Sequence, residues 1–204
     1  MRRCLWFLAL LLTCCAPSSL LAAAPPNTDT PVQVKTKGEP SASRDQSKPV
    51  RVALEEQYAK SVAAYHDEDP EVILALRTPD FSFQPPSGQR SSPEEAAAYI
   101  RASFEQVERT LQLTFDIQEI TVQNDTAIAT IHQHWRRAQL KAGQLRTVDT
   151  EAIQREWWVL TAEGWRLFFV DAVRPGIWKV DGKRVDPSRP YDPDAPPFEP
   201  AGKN

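Results

Sequence analysis

The sequence predicts an α+β domain in which three helices pack on one face of a bent, mostly antiparallel sheet. Three observations carry this: helical patterning fills the first part of the stretch from Arg51 to Val173, long alternating strands fill the last part, and the apolar phase slips by one residue inside the first long strand. Helices that precede a run of strands joined by short connections give segregated layers rather than alternating β-α-β units.

Each element has its own warrant. Leu54, Tyr58, Ser61 with Val62, and Tyr65 recur at helical spacing, so a first helix is expected from about Val52 to His66. A second, short helix is expected from Glu71 to Arg77, with Asp69 as its cap, Pro70 at a tolerated start and Thr78-Pro79 as its stop. Phe81-Ser82-Phe83 reads as a short strand that runs into Pro85-Pro86 and a turn at Ser87-Gly88. The third helix opens on Ser92-Pro93-Glu94-Glu95, a capping box with proline at the first helical position. Its buried stripe is expected to be Ala96, Tyr99 with Ile100, Ser103 with Phe104, and Val107.

The rest is sheet. Leu111, Leu113, Phe115 and Ile117 alternate with polar residues, and the phase then moves to Ile120 and Val122, as a β-bulge near Gln118-Glu119 would require. Asn124-Asp125 turns the chain into a strand from Thr126 to about Ala138, Lys141-Ala142-Gly143 turns it again, and Val148 to Leu160 returns. Thr161 to Gly164 leads into a last strand from Trp165 to Val173. Beyond it, Asp181-Gly182 between Ile177–Val180 and Lys183–Val185 is a two-residue hairpin signal. The prolines and aromatics from Asp186 to Phe198 then read as a stiff, extended segment.

The residues before the domain belong to another class. Arg2 and Arg3, an apolar run from Leu5 to Ala16 and a cleavage zone from Leu20 to Ala24 that ends in three alanines have the three-part pattern of a secretory signal peptide. Lipidation at Cys14 or Cys15 is the rival reading, and only then would the chain carry a membrane tether; Thr13 before Cys14 and a cysteine before Cys15 fit a lipobox poorly. The expected organisation is a signal peptide over 1–24, a linker over 25–50, a domain over 51–173 and an extension over 174–204. All three cysteines precede the cut, so the mature chain enters an oxidising, periplasmic or extracellular compartment without disulfides or thiolate chemistry. Losing Arg2 and Arg3 takes the formal charge of the 204-residue chain from -3 to -5, a mildly acidic balance without a basic run that argues against nucleic acid as a partner.

The helix order, the Pro79-Asp80-Phe81 strand entry, the Ser-Gly turn, the capped third helix, the Asp125-Thr126-Ala127 entry and the terminal Gly164-Trp165-Arg166-Leu167 resemble the NTF2-like superfamily. Within it the resemblance is to the SnoaL-like group, which includes ketosteroid isomerases. The resemblance implies an NTF2-like cone whose sheet and helices enclose a pocket, and a homodimer through the outer sheet face. It also implies a general-base carboxylate at the end of the first strand, where this chain has Phe83-Gln84-Pro85-Pro86. Tyr58 could match the oxyanion-stabilising phenol of such isomerases, or be a core tyrosine.

The alternation of β-strands assigns the remaining candidates. Ala127, Ala129 and Ile131 form the helix-facing row, which sends His132 and His134 to the outer face as solvent or dimer-contact residues rather than metal ligands. Gln133 and Trp135 are offered to the pocket. On the next long strand Gln154, Glu156 and Trp158 share a face opposite Trp157; Glu156 is an acid-base candidate if buried with a raised pKa, and otherwise a partner for a cross-strand arginine. The expected ligand-binding set is Tyr58, Tyr65, Tyr99, Gln133, Trp135, Glu156 and Trp158, with no metal or cofactor and no assigned catalytic residue. The expected function is an exported binding module for a small or extended ligand. The alternatives are an isomerase, cyclase or hydrolase acting on a hydrophobic molecule, and an envelope module that binds protein through its sheet face or tail. A deep pocket in which two polar groups converge would favour the enzyme, and a filled cone the interaction module.

Overall fold

The computed structural model describes residues 44–85, 88–173 and 176–199. The expected signal segment with its cysteines, the linker up to residue 43, Pro86-Ser87 and Arg174-Pro175 lie outside the described residues. The first helix, α1, runs Arg44–His66, earlier than the periodicity suggested and across Pro49. Residues 44–50, expected as linker, are therefore helical, and Val50 already packs in the core. The short α2, Pro70–Ala75, is capped by Asp69, whose carboxylate accepts from Glu71 N (2.9 Å) and Val72 N (3.2 Å). After β1, Arg77–Gln84, comes α3, Pro93–Glu105, with both halves of the capping box made: Glu95 N donates to Ser92 Oγ and Ser92 N donates to Glu95 Oε2.

The sheet strands are β2 (Val107–Gln123), β3 (Thr126–Lys141), β4 (Gln144–Thr161), β5 (Gly164–Ala172), β6 (Ile177–Val180) and β7 (Lys183–Arg184). Their order is β1-β5-β4-β3-β2, antiparallel except for the β1/β5 pair, so the sheet is mixed and open. The register of β2 on β3 shifts between Ile117 and Glu119, where the phase slip placed a bulge. Arg51 of α1 donates to Ile117 O there (3.0 Å), tying the helix to the bend. Leu54, Ile73, Ala127, Ala129 and Ile131 are fully enclosed between α1, α2 and the concave sheet face. Burial of that face fixes which residues of each strand point inward.

β4 is shared along one edge: β5 pairs with Gln154–Thr161 and β6 with Val148–Glu151. Ala142-Gly143 and Asp181-Gly182 both have positive φ at the two central positions, which suits the twist of two-residue hairpins. The segment after β7 does not run on as an extended rod. Asx turns at Asp186 and Asp192 bend it, and Phe198 N returns to Arg184 O at 2.9 Å.

Candidate functional site

The polar centre of the interior forms where α1 crosses β4. The Tyr58 hydroxyl donates to Glu156 Oε2 at 2.6 Å, Trp158 Nε1 donates to the same oxygen at 3.2 Å, and Gln154 Nε2 donates to Oε1 at 2.7 Å. Alternation along β4 puts all three of its contributors on the concave side, and Tyr58 reaches them because it lies one turn after Leu54 on the buried stripe of α1. Glu156 is only 2% exposed. Burial raises its pKa above the ordinary carboxylate range, opposed by the three donors and by the positive charge of Arg77. Burial and the neighbouring Glu156 likewise hold the Tyr58 phenol well above its usual range. The cross-strand arginine pair is not made: the residue opposite Glu156 on β5 is Val170 and on β3 Ala129.

Aromatic rings enclose this centre. Tyr58 stacks on Phe115 at 4.8 Å between centroids and meets Trp158 edge-on at 5.5 Å. Of the adjacent tryptophans, Trp158 is the core residue, and Trp157 packs on Phe169 at the outer face. Closer to the rim, Tyr65 lies 4.9 Å from both Phe104 and Trp135. Gln133 is half-buried between Phe115 and Ala152.

Tyr99 departs from its expected place. It is 59% exposed and touches Phe83 at 5.3 Å, whereas Ala96, Ile100 and Phe104 are the buried residues of α3. At roughly 100° per residue, Tyr99 sits about 100° from the centre of that stripe, off its buried edge. On the outer face His132 and His134 lie 3.8 Å from Glu151 and 3.2 Å from Asp149, respectively.

Six of the seven expected binding residues, Tyr99 excepted, thus line or fill the interior, with Tyr58, Glu156 and Trp158 at its floor. Two cavities open elsewhere. One of about 510 Å³ lies among Lys183, Tyr191, Pro197 and Phe198, and one of about 460 Å³ among Val50, Val122, Leu160 and Trp165; none of the seven lines either. Strand alternation also marks Arg137, which continues the inward row of Gln133 and Trp135; it does not mark Arg77, because the register of β1 shifts between Arg77 and Ser82.

Residues 58–166 match the family described as SnoaL-like domain, which is more than half of the chain. The chain belongs to the SnoaL-like domain family. This SnoaL-like protein is an α+β domain of three helices on a mixed, open sheet. Its structure is similar to that of a conserved protein from Planctomyces limnophilus (17% identity, TM-score 0.54, covering 64% of this chain and 98% of that one). A protein from Kribbella flavida is similar at 17% identity and TM-score 0.52, with 62% and 90% covered. An NTF2-like superfamily protein from Salmonella enterica matches at 18% identity and TM-score 0.49, with 63% and 93% covered. No curated protein matches the sequence. Membership in the SnoaL-like family supports a ligand-binding or isomerase-like domain.

Proposed function

We propose that this SnoaL-like domain is an exported, non-catalytic binding module that holds a small ligand in the mouth of its cone. The observation that carries this is the closure of the polar floor. Tyr58 has one hydroxyl proton and gives it to Glu156 at 2.6 Å, and both Glu156 oxygens are occupied by internal donors. A phenol committed in this way has no proton for a developing oxyanion, and a carboxylate so bonded is a poor base despite its raised pKa. The two groups converge on each other rather than on a shared open point, and Phe83-Gln84-Pro85 at the end of β1 supplies no second carboxylate.

The N-terminal pattern supports export. The outer sheet face, with Trp157 and Phe169 beside paired charges, supports a homodimer contact. Native mass spectrometry of protein purified from the exported fraction is expected to show a non-covalent small-molecule adduct that disappears on denaturation. Protein that carries no adduct, from any growth condition, would overturn the binding reading. Turnover of a retained compound that is abolished in Glu156→Gln would overturn its non-catalytic part.

A further inference from the structure

The two faces of the sheet treat their cations differently. On the outer face His132, His134, Arg136, Arg155 and Lys179 each lie within 4.0 Å of a carboxylate. On the inner face Arg137 is only 3% exposed, yet among the described residues no carboxylate comes within that distance of it. Its hydrogen-bond partners are neutral: Nε donates to Gln139 Oε1 at 3.0 Å and Nη1 to Thr150 Oγ1 at 3.1 Å. Its guanidinium lies 4.0 Å from the ring of Trp135 and 5.5 Å from that of Trp178, which β6 brings to the same face. Asp149, the carboxylate that acts on it, is on the outer face and bonded to His134.

Magnitudes decide what this arrangement lacks. Cation–π contacts contribute about 0.5–2 kcal/mol each, while removing an unpaired ion from water costs several kcal/mol. Burial accordingly pulls the Arg137 guanidinium down to about 10, although it stays charged at neutral pH. Tyr65 stands on the same Trp135 ring. The influences on its hydroxyl are burial and the charges of Arg77, Tyr99, Arg137 and Glu156, with no hydrogen bond among them. A half-buried phenol without a partner is a donor held in reserve. Arg77 likewise has no carboxylate within 4.0 Å among the described residues, but it donates to Ile73 O and feels Glu156 on its own face of the sheet, whereas the carboxylate acting on Arg137 lies across the sheet. Lys141, on the same inward row, adds positive potential at the rim.

We propose that the cone mouth binds a monocarboxylic acid with an apolar or aromatic body, its carboxylate between the Arg137 guanidinium and the Tyr65 hydroxyl and its body against Trp135. The planar fork of arginine matches a carboxylate, and a single negative charge balances Arg137 without desolvating a second. The inference rests on the cone being a ligand site. It makes Trp178, and through it the C-terminal extension, one wall of that site.

The test compares acids with their neutral amides: cinnamate with cinnamamide and octanoate with octanamide, titrated into the mature full-length chain by calorimetry and tryptophan fluorescence. The acids are expected to bind about ten- to a hundred-fold more tightly, the range of a charge-assisted hydrogen bond. Arg137→Gln is expected to abolish that preference and Arg137→Lys to keep part of it, with unchanged near-ultraviolet circular dichroism. Should Arg137→Gln fail to fold, the comparison of acids with amides on the unsubstituted protein still decides. Equal binding of acid and amide overturns the anion site and leaves the ligand-binding reading standing. No binding of any of the four at millimolar concentration overturns both.

Discussion

Glu156 is the residue whose environment governs the most. A carboxyl group whose folded-state pKa exceeds its ordinary 4.5 keeps a proton that the unfolded chain releases. Its stabilising contribution is therefore complete below about pH 4.5 and is lost as pH rises through the folded-state value. Glu156→Gln removes this dependence, so its melting temperature relative to the native sequence is expected to climb with pH above 4.5; a constant difference across that range would mean the carboxylate is not the titrating group. Tyr58→Phe removes one of the buried donors to Glu156 and is expected to cost about 1–3 kcal/mol in urea denaturation. It also removes an influence that holds the Glu156 pKa down, so the pH at which stability falls should move upward. The sequence allowed Glu156 to be placed beside Gln154 and Trp158 by alternation alone. Its contact with Tyr58 could not be seen there, because the two meet across 98 positions and only the packing of α1 on β4 joins them.

At the level of elements, what local chemistry determines was legible and what tertiary packing determines was not. Ser92-Pro93-Glu94-Glu95 specifies the start of α3 through bonds made within four residues, and the structure has both halves of that cap. Ser92→Ala is expected to destabilise the domain by about 1 kcal/mol, read as a shift in denaturation midpoint with unchanged slope. The bulge near Gln118 was visible because a one-residue slip changes which side chains are apolar. The start of α1 was not, since Pro49 and the polar residues before it look like linker until Val50 meets the core. Tyr99 was misplaced for a related reason: an apolar-looking aromatic at the margin of a stripe carries no mark of which side it falls on.

For the whole molecule, the decisive feature is that the segment after Val173 contributes to the main sheet. β6 covers the edge of β4 at Val148–Glu151, where Val148 is fully buried, and Trp178 joins the concave face. A chain ending at Ala172 is expected to melt at lower temperature and to associate as its concentration rises, because a long bare strand edge pairs with other copies. Size-exclusion chromatography over a concentration series checks this, and a monodisperse truncated chain of undiminished stability would contradict it. The same topology also sets a timetable. β1 finds its partner only when β5 has been made, and the first half of β4 is sealed only when β6 follows. The β1/β5 pairing closes a long loop and is slow to form, whereas the β2-β3-β4 meander pairs consecutive strands and can form before it. The sheet is therefore completed at its C-terminal end, and the edge of β4 is the last part of the domain to be covered.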